Sequence, residues 1–158
     1  AACQKEEASP TTFYLVRHAE KVVQGDTATH QEEDPPLTVA GEDRAARLKE
    51  LLLDQPDLVA LFSTQYQRNV NTVKPLALAK DAEIQYYEWH DWQPMIDKAR
   101  QAHSGKTVVV CGHGDNLLPM VEYLGGERPQ ERLGPEEYDK IFKVEVGEDT
   151  ASVTVLKY

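Results

Sequence analysis

Short runs of β-branched and apolar residues recur along this chain, separated by longer stretches with helical spacing. The runs Thr12–Val16, Asp57–Ser63, Glu83–Tyr87 and Lys106–Cys111 predict strands. The last holds Val108, Val109 and Val110 in a row, the pattern of a strand covered on both faces. Thr38 is a candidate N-cap for a helix carrying Leu48, Leu51 and Leu52 and ending at Leu53. A second helix is predicted over Tyr66–Lys80, where Pro75 should impose a kink or mark a start. Further helices are predicted over Pro94–Ala102 and through Leu117, Val121 and Leu124. Between the first strand and the first helix, a polar stretch reaches Asp34 and closes at Pro35-Pro36; ordered loops of that length are often functional. At the C-terminus, Lys140–Val146 and Ala151–Leu156 alternate about Gly147-Glu148-Asp149, which predicts an antiparallel hairpin. The expected fold class is therefore α/β: a three-layer α/β/α sandwich on a mostly parallel central sheet, with a C-terminal antiparallel hairpin. No internal repeat or linker divides it, so residues 1–11 are expected to form a flexible tail and residues 12–158 a single domain.

Composition narrows the partners. A chain of 158 residues can bury a core without disulfide staples. Seventeen Lys and Arg against 27 Asp and Glu give a net charge of −10, which argues against nucleic-acid binding and against adsorption to an anionic membrane. No apolar run is long enough to span a bilayer. A local cluster of cations could still hold a phosphate. Of the two cysteines, Cys111 ends a buried strand and Cys3 lies in the tail, so a disulfide is not expected. Ala1-Ala2-Cys3 resembles the end of a bacterial lipobox, and Gln4-Lys5-Glu6-Glu7 resembles the export tag of some surface lipoproteins. The expectation is a lipid anchor at Cys3 and a place in the bacterial cell envelope. The alternative is a plain acidic tail on a cytoplasmic protein.

The candidate chemistry lies at the strand ends. Arg17-His18 follows the first strand, and His113 follows the last core strand behind Gly112. Arg68 comes early in the helix after the second strand. Ligands of α/β sheets bind outside the carboxyl ends of the strands, so two Arg and two His converging there would make an anion pocket suited to a phosphoryl group. Leu15-Val16-Arg17-His18-Ala19-Glu20 resembles the Arg-His-Gly signature of the histidine phosphatase superfamily, also called phosphoglycerate mutase-like. Pro36-Leu37-Thr38 with Gly41 and Arg44, Phe62-Ser63-Thr64 with Arg68 and Thr72, and Val110-Cys111-Gly112-His113 are similar to its other motifs, in order.

The resemblance implies a phosphatase of the short type, similar to phosphohistidine phosphatases. His18 would be the nucleophile and Arg17, Arg68 and His113 the phosphate-binding catalytic partners. It implies no cofactor, and no His-Glu-x-x-His or paired-Cys pattern suggests a metal. Ala19 stands where the family usually has Gly. The general acid stays open. Asp115 and Glu88 are the first candidates, followed by Glu20 and Asp91, while Asp115 could instead cap the helix beside it. The aromatic segment Tyr86, Tyr87, Trp89 and Trp92 fits either a pocket wall or loop packing, and His30, His90 and His103 read as surface residues.

The expected function is metal-independent hydrolysis of phosphomonoesters through a phosphohistidine on His18. Phosphohistidine-protein hydrolysis, or a catalytically weak phosphate- or phosphosugar-binding module, are the alternatives. A small phosphorylated molecule or a phosphoprotein is the expected partner; the oligomeric state is not legible.

Overall fold

Strand and helix alternate through the residues that the computed structural model describes, 9–23 and 34–158. The order is β1 (Thr11–Arg17), α1 (Val39–Leu52), β2 (Leu58–Ser63), α2 (Gln67–Ala79), β3 (Ile84–Tyr86), α3 (Gln93–Ala102), β4 (Thr107–Gly112), α4 (Leu117–Tyr123), β5 (Lys140–Val146) and β6 (Ala151–Lys157). Cys3, with its expected lipid anchor, and His30 lie outside the described residues.

The six strands form one sheet in the order β3-β2-β4-β1-β5-β6. β1 pairs parallel with β4, as do β2 with β4 and β2 with β3. β5 pairs antiparallel with both β1 and β6, so the expected hairpin extends the sheet at one side.

Alternation along β1 builds the layers, because successive side chains of a strand point to opposite faces. Phe13 and Leu15 join Met95, Ile96, Leu117 and Val121 from α3 and α4. Tyr14 and Val16 join Leu48, Leu52, Val73 and Leu76 from α1 and α2. The three-layer sandwich follows directly. Every residue of β4 is buried, as a strand flanked on both faces requires. In β2 the register with β4 shifts between Leu58 and Ala60, and Val59 turns out to solvent.

Thr38 is the N-cap of α1, its hydroxyl accepting the Gly41 N–H at 3.1 Å. Pro75 does not mark a helix start: α2 runs through it from Gln67 to Ala79. Burial of Val73, Leu76 and Ala77 outweighs the one N–H that proline cannot donate.

Gly41 matters for a different reason. A Cβ there would lie 2.3 Å from the Glu20 carbonyl oxygen, so α1 can cross the chain after His18 only with glycine at this point. Gly41→Ala is expected to destabilise the protein by about 2–3 kcal/mol, since backbone must move and helix propensity returns only about 1 kcal/mol. Urea unfolding measures this; an unchanged midpoint would refute the close crossing.

Candidate active site

β1, β2 and β4 are parallel and end together at one edge of the sheet, and the chain leaving them carries the candidate residues. The His18 N–H donates to the Gly112 carbonyl at 3.0 Å, tying the two histidine-bearing turns. The Thr72 hydroxyl accepts the Ala19 N–H at 2.8 Å and donates to the Arg68 carbonyl at 2.6 Å. One hydroxyl thus hooks the helical turn of Arg68 to the residue after His18. Asn69 Nδ2 adds a bond to the Gly112 carbonyl at 3.0 Å. Gly112 admits no side chain, because a Cβ would sit 2.5 Å from Asn116 Oδ1 and 2.7 Å from Leu117 Cδ2.

His18 is only 3% exposed. Its Nδ1 lies 2.8 Å from the Ala19 carbonyl, which can only accept; Nδ1 therefore carries the proton and Nε2 keeps its lone pair. Burial pushes the imidazole pKa down to about 3; the Ala19 bond opposes this, and the charges of Arg17, Arg68 and Lys21 reinforce it. His113 lies beside it, ring centroids 5.6 Å apart, with Nε2 2.9 Å from Thr64 Oγ1. Burial again dominates, and with His18, Arg68, His90 and Arg17 it lowers His113 to about 2. Both rings are neutral at physiological pH.

Arg17 is placed by the chain before β5. Its Nη1 donates to the carbonyls of Gly134, Pro135 and Glu137 at 3.1, 3.2 and 3.2 Å, and its guanidinium lies 4.3 Å from the Tyr138 ring centre. The Arg68 side chain is buried, with its guanidinium 4.6 Å from the Tyr66 ring centre. Burial lowers both guanidinium pKa values, opposed for Arg17 by Tyr138 and Glu137 and for Arg68 first by Asp34. Two guanidinium groups beside a neutral imidazole with a free lone pair make a site for a phosphoryl group.

The acid candidates fare differently. Glu88 and Asp91 are exposed and line a cleft of about 640 Å³ with Asp34, Thr64 and Tyr66. Thr64, bonded to His113, joins that cleft to the histidine pair. Glu20 is bonded to Arg44 at 2.7 Å; although burial alone would raise its pKa, the Arg44 bond and charge bring it below the usual carboxylate range. Asp115 does not cap α4. The N-cap is Asn116, and Asp115 Oδ1 accepts the Trp89 indole N–H at 2.7 Å.

The aromatic segment divides between its two readings. Tyr87 and Trp92 pack into the core, Tyr86 is exposed, and Trp89 stacks on His113 with centroids 3.6 Å apart. His90 is exposed and lies beside Trp89, and His103 is half-buried at the end of α3. Sequence reasoning missed Tyr138, whose ring centre is 5.9 Å from that of His18, and Asn116, which accepts the His113 N–H at 2.8 Å and donates to the Trp89 carbonyl at 3.2 Å. An Asn at the start of a helix behind Gly-His was the one available signal for the latter. Among the described residues, no group of three or more His, Cys, Asp or Glu is arranged to hold a metal ion.

The model of the histidine phosphatase superfamily (branch 1) matches residues 13–93, just over half of the chain. No curated protein sequence matches it. Among solved structures, a candidate phosphohistidine phosphatase, SixA, from Agrobacterium tumefaciens is 21% identical with a TM-score of 0.69, covering 94% of this chain and 99% of that one. Phosphoserine phosphatase from Entamoeba histolytica, solved with 3-phosphoglyceric acid, is 17% identical with a TM-score of 0.67, over 94% and 97% of the two chains. Phosphoglycerate mutase from Bacillus anthracis is 15% identical with a TM-score of 0.70, over 95% and 94%. At these identities the likeness is one of fold.

Proposed function

The chain belongs to the histidine phosphatase superfamily (branch 1), and from that premise we propose that it is a phosphatase hydrolysing phosphomonoesters through a phosphohistidine on His18. The observation that carries the reading is the His18 tautomer: the Ala19 carbonyl holds the Nδ1 proton and leaves the Nε2 lone pair beside the half-buried Arg17 and the buried Arg68.

In this reading Nε2 attacks phosphorus in line, the new P–N bond forms, and the P–O bond to the leaving group breaks. Arg17 and Arg68 neutralise charge spread over the equatorial oxygens. His113, beside His18 and held through Nε2 at 2.9 Å from Thr64 Oγ1, is a further donor to the phosphoryl group in this reading. Glu88 protonates the departing oxygen and, as the carboxylate, then accepts a proton from the water that cleaves the P–N bond. Its place in the cleft supports the choice, as do the commitments of Glu20 to Arg44 and of Asp115 to Trp89. No step calls on a metal.

Hydrolysis of para-nitrophenyl phosphate in excess EDTA tests the class. Sustained turnover is expected, and activity abolished by the chelator would sink metal independence. Glu88→Gln is expected to leave that activated ester within a few-fold while slowing alkyl phosphates about 10²–10³-fold, because only a basic alkoxide needs the proton. Equal loss on both substrates would remove Glu88 from the role. Turnover confined to a phosphohistidine protein would replace the phosphomonoester reading.

A further inference from the structure

Trp89 is held from several sides beside the phosphate pocket. Its indole lies flat on the His113 imidazole, with centroids 3.6 Å apart and planes inclined by 9°. His90 is also near-parallel to it, with centroids 5.0 Å apart. Tyr66 meets both Trp89 and His113 edge-on at 5.5 Å. The indole N–H is fixed by Asp115 and the Trp89 carbonyl by Asn116, whose side-chain oxygen also receives the backbone N–H of His113. Asp115 and Asn116 stand next to each other in the chain and both reach back to Trp89. Such bracing exceeds what loop packing needs, because Trp89 itself contributes no buried core residue.

We propose that Trp89 is the positioning residue of His113, clamping its ring in plane and shielding it from water, and that Asp115 acts by holding the indole rather than as the general acid. The assignment rests on the phosphatase reading for its kinetic part alone. An imidazole with one ring nitrogen on Thr64 can still pivot about that bond; a flat neighbour at 3.6 Å removes the pivot and fixes the plane in which the ring meets His18. The clamp also contributes to the burial that keeps His113 neutral. The groups facing His113 are His18 and Arg17 from the end of β1, Tyr66 and Arg68 from the start of α2, Thr64 after β2, and His90 beyond the indole. Of these, His18, Arg68, His90 and Arg17 all disfavour the imidazolium, so exposing the ring leaves the charge environment unchanged and alters hydration alone.

The test compares Trp89→Leu, Trp89→Phe and Asp115→Asn by NMR of the His113 ring nitrogens at about pH 7.5, and by kinetics on para-nitrophenyl phosphate in the wild type and in His113→Ala. Trp89→Leu is expected to turn the single neutral tautomer of His113 into a mixture of both and to lower kcat about tenfold with KM within twofold. It should add nothing in the His113→Ala background, since residues that act as a unit are not additive. Trp89→Phe, which keeps a flat ring, should retain most of both properties and guards against simple misfolding of the Leu variant. Asp115→Asn keeps an acceptor for the indole and should stay within threefold on alkyl phosphates, whereas an acid at Asp115 would cost 10² or more there. An unchanged single tautomer of His113 in Trp89→Leu, or full additivity with His113→Ala, overturns the clamp. The ring-nitrogen spectrum needs no turnover, so failure of the phosphatase reading leaves it decisive.

Discussion

His18→Ala is expected to lower kcat for para-nitrophenyl phosphate by about 10⁴-fold or more while leaving the protein folded and able to bind phosphate. A nucleophile has no substitute once the covalent route is removed, and what remains is the help of Arg17, Arg68 and His113 to direct attack by water. The cavity left by the ring lies among polar groups, with Arg17, Arg68 and His113 around it, so little stability is lost. Steady-state rates with circular dichroism and phosphate titration check all three parts. Loss of less than tenfold would mean that His18 does not attack phosphorus.

Acidification is expected to unfold this protein through the same two residues. In the native state His18 and His113 are held neutral, with pKa values pushed down to about 3 and about 2, against an ordinary 6.5. As pH falls below 6.5, the unfolded chain takes up two protons that the folded chain refuses. Stability conferred by burying the neutral rings is fully present above pH 6.5 and is lost as pH falls toward the folded values. Each histidine contributes a slope of up to 1.36 kcal/mol per pH unit, so the pair costs about 4 kcal/mol between neutrality and pH 5. Urea midpoints at pH 7.5 and pH 5 measure the fall. The double variant His18→Ala/His113→Ala should lose most of the pH dependence in that interval. An identical slope in the double variant would show that other groups carry it. Glu137, lowered to about 2 by bonds from Gln130, Lys140 and the Gly134 N–H, changes protonation mainly below this range.

What could be read in the sequence is what is encoded locally. The triplet Val108, Val109 and Val110 announces a strand covered on both faces, and β4 is buried throughout. Thr38 followed by helical leucines announces α1 and its cap, and alternation about Gly147-Glu148-Asp149 announces the β5–β6 hairpin. Arg17, His18, Arg68 and His113 could be brought together because each follows the end of a parallel strand, and parallel strands end on one side.

The rest depends on contacts between distant segments. Arg17 is held by carbonyls 117 to 120 residues further along, and no local pattern announces that pairing. Glu20 two residues after His18 reads as a candidate acid, yet α1 crosses at Gly41 and supplies Arg44 to bind it. Asp115 beside a helix start reads as a cap; the indole of Trp89, 26 residues earlier, takes its oxygen. Pro75 reads as a kink or a start because propensity is local, whereas the packing that carries α2 through it is not.

The central claim is that a phosphoryl group passes through His18 on its way to water. The stereochemical course at phosphorus tests it most directly, using a phosphorothioate ester made chiral with two oxygen isotopes and hydrolysed in water of the third, so that the thiophosphate released is itself chiral. Two in-line displacements, first by His18 Nε2 and then by water, invert the centre twice and give overall retention, the result this account predicts. Overall inversion would mean a single attack by water and would contradict it.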